Sequence, residues 1–201
     1  MTIARFTARI GYSVLGALTI AGISQTGALA QDTQTHKVVS HHVPSPESKD
    51  RTNALVRLVR ESTRRFQDAS VALAEGYVPQ FGCVSGSHEG AMGVHFVNGP
   101  LVADPELDPA RPELLVYEPL PNNKFRLVAV DYLVVSQAWN ANNPGPPELM
   151  GQLFHLFESP NRFGLPEFYT LHVWAWKENP QGTFANWNPD VSCDAYNPSG
   201  E

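Results

Sequence analysis

The sequence predicts an α+β fold, with an N-terminal amphipathic helix packed on a curved antiparallel β-sheet or a small β-barrel. Three observations predict it. Over residues 50–77 apolar side chains recur at helical spacing, and Leu55, Val59, Phe66, Ala69 and Leu73 form one stripe. After Tyr77 the pattern changes to short apolar runs cut by Gly, Pro, Asn and Asp, as in strands joined by turns. There is no internal repeat, and one helix followed by a run of strands gives a helix-plus-sheet domain.

Residues 1–30 read as a secretory signal peptide. Arg5 and Arg9 stand without an acid, "GYSVLGALTIAGI" is a short apolar core, and Ala28-Leu29-Ala30 offers small residues at the −3 and −1 positions. The apolar run falls short of the ~20 residues a membrane span needs, and no later stretch is longer. Cleavage after Ala30 is therefore expected to export a chain with no membrane span to the periplasm or the extracellular medium. It leaves 171 residues, enough for one domain with a sizeable core. Cleavage also removes two basic residues and no acid, taking the net charge from −6 to −8. So acidic a chain has no basic stripe for phosphate backbones, which excludes nucleic acid and anionic membranes as expected partners.

Residues 31–49, "QDTQTHKVVSHHVPSPESK", are polar and lack apolar period, and read as a flexible leader. His36, His41 and His42 lie in it, either solvated or as a weak metal-collecting arm. The domain then covers residues 50–201. Asp50 or Thr52 is placed to cap its helix, and Gly76 and Pro79 to end it. Arg57, Arg60, Arg64 and Arg65 lie off the apolar stripe as a solvated face, with Glu61 four residues from both Arg57 and Arg65.

Strands are expected over residues 92–97, 114–118, 125–135 and 168–176. "PLPNNKF" forms a hairpin turn between the second and third, because Asn122-Asn123 tolerates the left-handed conformation. The third strand is apolar on both faces and belongs at the centre of the sheet. "PPELMGQLFHLF" is expected as a short helix or a loop over one face, and the turn-rich "ENPQGTFANWNPDVSC" closes the domain. In an exported chain Cys83 and Cys193, with no third thiol, form a disulfide. A loop of ~100 residues closed in this way has a nominal stabilisation of ~4.7 kcal/mol. The bridge would fasten the C-terminal tail beside the glycine-rich "SHEGAMGVHF", where Gly90 and Gly93 read as making room at a cavity mouth.

The chain has no Cys-x-x-Cys-His, His-Glu-x-x-His, Walker loop or nucleophile elbow, and "GCVSGSHEG" has its glycines at the wrong spacing. What it has is polar residues set inside apolar strands: His95 in "VHFV", Glu118 in "LLVYE", Asp131 in "LVAVDYLVV" and His172 in "YTLHVWAW". Each needs a hydrogen-bonded, ionic or metal partner once buried. Strand alternation puts His172 on one face with Thr170, Trp174 and Trp176, and His95 with Gly93 and Val97. Two histidines and a carboxylate from separate strands make an open site for a divalent transition metal: Fe, Cu, Zn or Mn. The expected ligands are His95, Glu118 and His172. Asp131 is the alternative carboxylate, an orienting group or part of the catalytic apparatus, and His88 and Glu89 are expected as acid–base groups at the mouth. His155 belongs to a covering segment, and Trp139, Trp174, Trp176 and Trp187 to the core or to a pocket lining.

The series "GYVPQFGCVSG", "GAMGVHFVN", "LDPARPELLVYEP", "RLVAVDYLVV" and "FYTLHVWAWKENPQGTFANWNPDVSC" resembles a family of uncharacterised exported bacterial proteins, over about residues 65–193. The resemblance implies bacterial origin and export, and assigns no residue a role; His95, Glu118 and His172 fall on its motif positions. The functional expectation is a mononuclear metalloenzyme that oxidises or hydrolyses a small molecule. The alternatives are a non-catalytic exported protein holding a small molecule in an aromatic-lined pocket, and a metal storage or delivery protein.

Overall fold

The computed structural model describes residues 45–198. The expected signal peptide and the leader histidines His36, His41 and His42 lie outside the described residues.

Helix α1 (Pro46–Thr63) starts earlier than the apolar stripe indicates. Ser45 accepts a hydrogen bond from the Ser48 N–H and Pro46 occupies the first turn, so the last residues assigned to the leader are helical and neither Asp50 nor Thr52 is the cap. Nor does the helix run unbroken to Gly76. It gives way to a 3₁₀ turn (Arg64–Gln67) and a second helix, α2 (Ala69–Ala74), because the Asp68 carboxylate accepts from both the backbone N–H and the hydroxyl of Ser70. The break shifts the helical phase, so Ala72 is buried and Leu73 is 48% exposed. Arg65 pairs with Glu75 at 2.8 Å rather than with Glu61.

The sheet is built from β1 (Tyr77–Ser85), β2 (Ala91–Asn98), β3 (Leu114–Leu120) and β4 (Lys124–Val135). Short helices α3 (Gly99–Ala103) and α4 (Ser136–Asn140) follow β2 and β4. After α4 come a small hairpin, β5 (Glu148–Leu149) with β6 (Gln152–Leu153), then β7 (His155–Phe157) and β8 (Phe168–Val173). The main sheet is antiparallel in the order β1-β2-β3-β4-β8-β7. It is open, with β1 and β7 as its edges, which corrects the barrel alternative.

Four expected strands are present, although β8 stops at Val173, short of Trp176. The strand β1 was not expected. Phe81 and Gly82 sit at φ 64° and 66°, and pairing with β2 slips between Gln80 and Cys83 as a bulge that hides the alternation. "PPELMGQLFHLF" is neither helix nor plain loop. Met150 (φ 50°) and Gly151 (φ 84°) turn the chain back on itself, and His155 to Phe157 add the edge strand. Asn122 and Asn123 take φ 63° and 55° and close the β3–β4 hairpin as expected.

One sheet face is plain core: Leu55, Val59 and Phe66 share a buried cluster with Phe96, Tyr117 and Leu171. The other face carries Val116, Ala129 and Trp174 in one patch and Leu114, Leu133 and Phe168 in another. Cys83 and Cys193 are joined by a disulfide that ties β1 to the tail. The tail also pairs Asn188 with Ala91, and a Cβ on Gly90 would lie 2.2 Å from the Asn188 carbonyl oxygen. A Cβ on Gly93 would lie 2.5 Å from the Tyr117 oxygen, so these glycines permit close backbone approach rather than opening a cavity. Among the described residues no helix is long and apolar enough to cross a membrane.

Candidate metal centre

Asp131 and His172 are direct cross-strand partners on β4 and β8. His95 enters from β2, with Val116 and then Ala129 next to it across the sheet. These side chains are short and leave space above them. Three strand spacings of ~4.8 Å would hold β2 and β8 ~14 Å apart in a flat sheet. Yet the His95 and His172 ring centroids are 5.8 Å apart, so the sheet curls round this face and the two imidazoles reach inward.

His95, Asp131 and His172 each offer a ligand atom, and these atoms lie within 4.8 Å of one another. All three side chains are buried, at 4%, 3% and 2% relative exposure. His172 Nδ1 stands 3.6 Å from Asp131 Oδ1, too far for a hydrogen bond. Two atoms bound at ~2.1 Å to one tetrahedral ion stand ~3.4 Å apart, so this gap suits a shared cation. The Thr170 hydroxyl donates to Asp131 Oδ1 and fixes the carboxylate. His95 Nδ1 and both ring nitrogens of His172 have no hydrogen-bond partner among the described residues. Asn186 is close enough to His172 to favour its protonated form, but no bond of normal geometry joins them and Asn186 Oδ1 is also unpartnered.

Burial dominates the electrostatics. It pushes the His95 pKa down to about 4, assisted by His172 and opposed by Asp131. It pushes His172 down to about 3, again with burial first and His155 second. Burial raises Asp131 to about 6, against the lowering pull of His95 and the Thr170 bond. At neutral pH the group is thus two neutral imidazoles and one carboxylate, the protonation a metal requires. This buried His-Asp-His group could hold a metal ion.

Above it lies a pocket walled by Met92, Leu114, Leu133, Phe157 and Phe168 and rimmed by Phe81, Phe163 and Leu165. Its cavity volume is about 20 Å³. Trp174 stacks beside His172 at 6.4 Å, its indole N–H donating to the Ala185 carbonyl. The pocket aromatics are phenylalanines, whereas Trp139 and Trp176 spend their N–H groups on Gly145 O and Thr63 Oγ1.

Glu118 is not the carboxylate of this group. It bonds to Arg126, to Lys177 at 3.0 Å and to the Ser192 N–H at 3.3 Å, and so binds the tail to the sheet. Burial raises its pKa, but Arg126 and Lys177 outweigh that and hold it below the usual carboxylate range. Nor do His88 and Glu89 reach the pocket: both are exposed, and the Glu89 carboxylate accepts from the His88 backbone N–H. His155 is exposed on β7, paired with Thr170. Thr170 and Asn186 were not singled out in advance. Alternation pointed to Thr170, while Asn186 comes from an irregular loop with no period to read. Comparison of the chain with family models, curated proteins and solved structures finds no match.

Proposed function

We propose that this is an exported protein that holds one divalent transition metal on His95, Asp131 and His172 and acts as a mononuclear metalloenzyme, oxidising or hydrolysing a small molecule. One observation carries the reading: three unpartnered imidazole nitrogens are buried around a carboxylate. Each buried polar atom left unpaired costs about 1–3 kcal/mol. Structural core histidines avoid that cost by hydrogen bonding, whereas ligands recover it on a cation. Two nitrogens and one oxygen on separate strands suit Fe(II), and also Zn, Mn or Cu. Such an ion supplies Lewis acidity or oxygen activation at positions the protein leaves open. The protein's part is to keep both imidazoles neutral, orient Asp131 through Thr170, and exclude bulk water with apolar walls. Export is supported by the N-terminal signature and agrees with the disulfide.

Metal analysis of the untagged full chain tests this. One ion per chain is expected in the wild type and in Glu118→Gln, and none in Asp131→Asn. Wild-type protein without stoichiometric metal under every supply tried would remove the proposal. Loss in Glu118→Gln with retention in Asp131→Asn would move the site to the other carboxylate.

A further inference from the structure

Trp174 draws an irregular loop against the His95–Asp131–His172 group. It follows His172 by two residues and stacks beside that ring with planes 19° apart. It also bonds the loop twice, its backbone N–H donating to the Thr183 carbonyl at 3.0 Å and its indole N–H to the Ala185 carbonyl. The chain just beyond is pinned as firmly. Asn179 Nδ2 donates to the Trp187 carbonyl at 2.8 Å, and Asn188 exchanges two backbone hydrogen bonds with Ala91, each 3.1 Å. Asn186 lies between these anchors, which hold its amide within reach of His172.

Two buried polar groups meet there without partners. Asn186 Oδ1 accepts no hydrogen bond, and both ring nitrogens of His172 are unbonded among the described residues. The amide favours the form of His172 that carries a proton, which is the effect of an acceptor oxygen and not of an N–H donor. A neutral imidazole has one N–H, on either nitrogen. The 3.6 Å gap between His172 Nδ1 and Asp131 Oδ1 decides which. An Nδ1–H beside that carboxylate would close to about 2.7–3.2 Å as a hydrogen bond. An Nδ1 without hydrogen instead turns a lone pair to the carboxylate, and the two stay apart unless a cation lies between them. The hydrogen therefore sits on Nε2, and Asn186 Oδ1 is the unused buried acceptor within reach of it.

We propose that Asn186 is a positioning residue: its Oδ1 accepts the Nε2–H of His172 and so fixes the tautomer in which Nδ1 turns its lone pair towards Asp131. That this makes Nδ1 the ligand atom rests on the metal reading above; the tautomer rests on the buried atoms alone. The two are tested apart with the full chain, its histidines labelled with nitrogen-15. Long-range proton–nitrogen NMR of the metal-free protein at neutral pH reads the tautomer, with His172 assigned through its backbone. Wild type is expected to show hydrogen on Nε2 and none on Nδ1. Asn186→Leu, of similar size but without an acceptor, is expected to mix the two tautomers and to weaken zinc about 10–100-fold, still saturating at one ion per chain. Asn186→Asp keeps the acceptor oxygen and is expected to restore the Nε2–H tautomer. Hydrogen on Nδ1 in wild type, a reading that needs no variant to fold, would overturn the proposal. So would an unmixed Nε2–H tautomer in Asn186→Leu. The expected tautomers in a protein that takes up no zinc would leave the role of Asn186 standing and remove the metal reading. Zinc affinity unchanged in Asn186→Leu despite mixed tautomers would overturn Nδ1 as the ligand atom.

Discussion

Glu118 accepts from Arg126, Lys177 and the Ser192 N–H, so its charge holds the C-terminal tail against β3 and β4. Glu118→Gln is expected to lower stability by about 1–3 kcal/mol in urea titrations while metal content stays at the wild-type level. A second buried carboxyl makes stability depend on pH. Glu113 is 2% exposed and accepts the Leu133 N–H, and burial pushes its pKa from 4.5 up to about 8. The folded state therefore keeps a proton that the unfolded chain releases. The stabilising contribution is complete below pH 4.5 and is lost as pH rises through about 8. Glu113→Gln removes that loss, so its stability relative to wild type should grow steadily across this window. Parallel pH profiles for the two proteins would contradict the assignment. His95 and His172 were legible in the sequence because an imidazole inside an apolar strand demands a partner. Glu118 lies outside their group, and one of its partners is readable in the sequence, because a two-asparagine turn sets Arg126 opposite it. Lys177 and Ser192 arrive from far along the chain and left no local signal.

At the level of elements, strong periodicity was readable and interrupted periodicity was not. The strands β2, β3 and β4 lie within a residue or two of their expected bounds, since each is a continuous apolar run between turn residues. The strand β1 escaped because its bulge places two left-handed residues in mid-strand, and 146–157 because its strands are only two or three residues long. The junction between α1 and α2 is set by one side chain. Asp68→Ala removes the cap on Ser70 and is expected to lower the unfolding midpoint slightly, read from thermal or urea unfolding. In α1, Leu55 is completely buried among sheet residues, and Leu55→Ala should cost about 2–5 kcal/mol by the same measurement. An Asp68→Ala loss larger than that of Leu55→Ala would mean the break, not the apolar stripe, dominates helix stability.

For the whole molecule, the disulfide and the curled sheet do separate jobs. Cys83–Cys193 joins β1 to the tail across a separation of 110 residues, and replacing both cysteines by serine should cost about 2–4 kcal/mol. The proposed ligands come from β2, β4 and β8, so metal stoichiometry should survive that change at temperatures where the variant stays folded. A curved sheet is expected from the sequence, but which side chains meet across it is not legible: alternation names the face of each histidine, and only the folded geometry brings rings from strands three apart to 5.8 Å. The central claim is that His95, Asp131 and His172 share one ion. Crystals of the full chain grown with zinc, measured on both sides of the zinc absorption edge, test it most directly. The account predicts a single anomalous peak about 2.0–2.2 Å from a nitrogen of each histidine and an Asp131 oxygen. A zinc-saturated crystal with no peak there, or with its peak at Glu118 or the leader histidines, would contradict it.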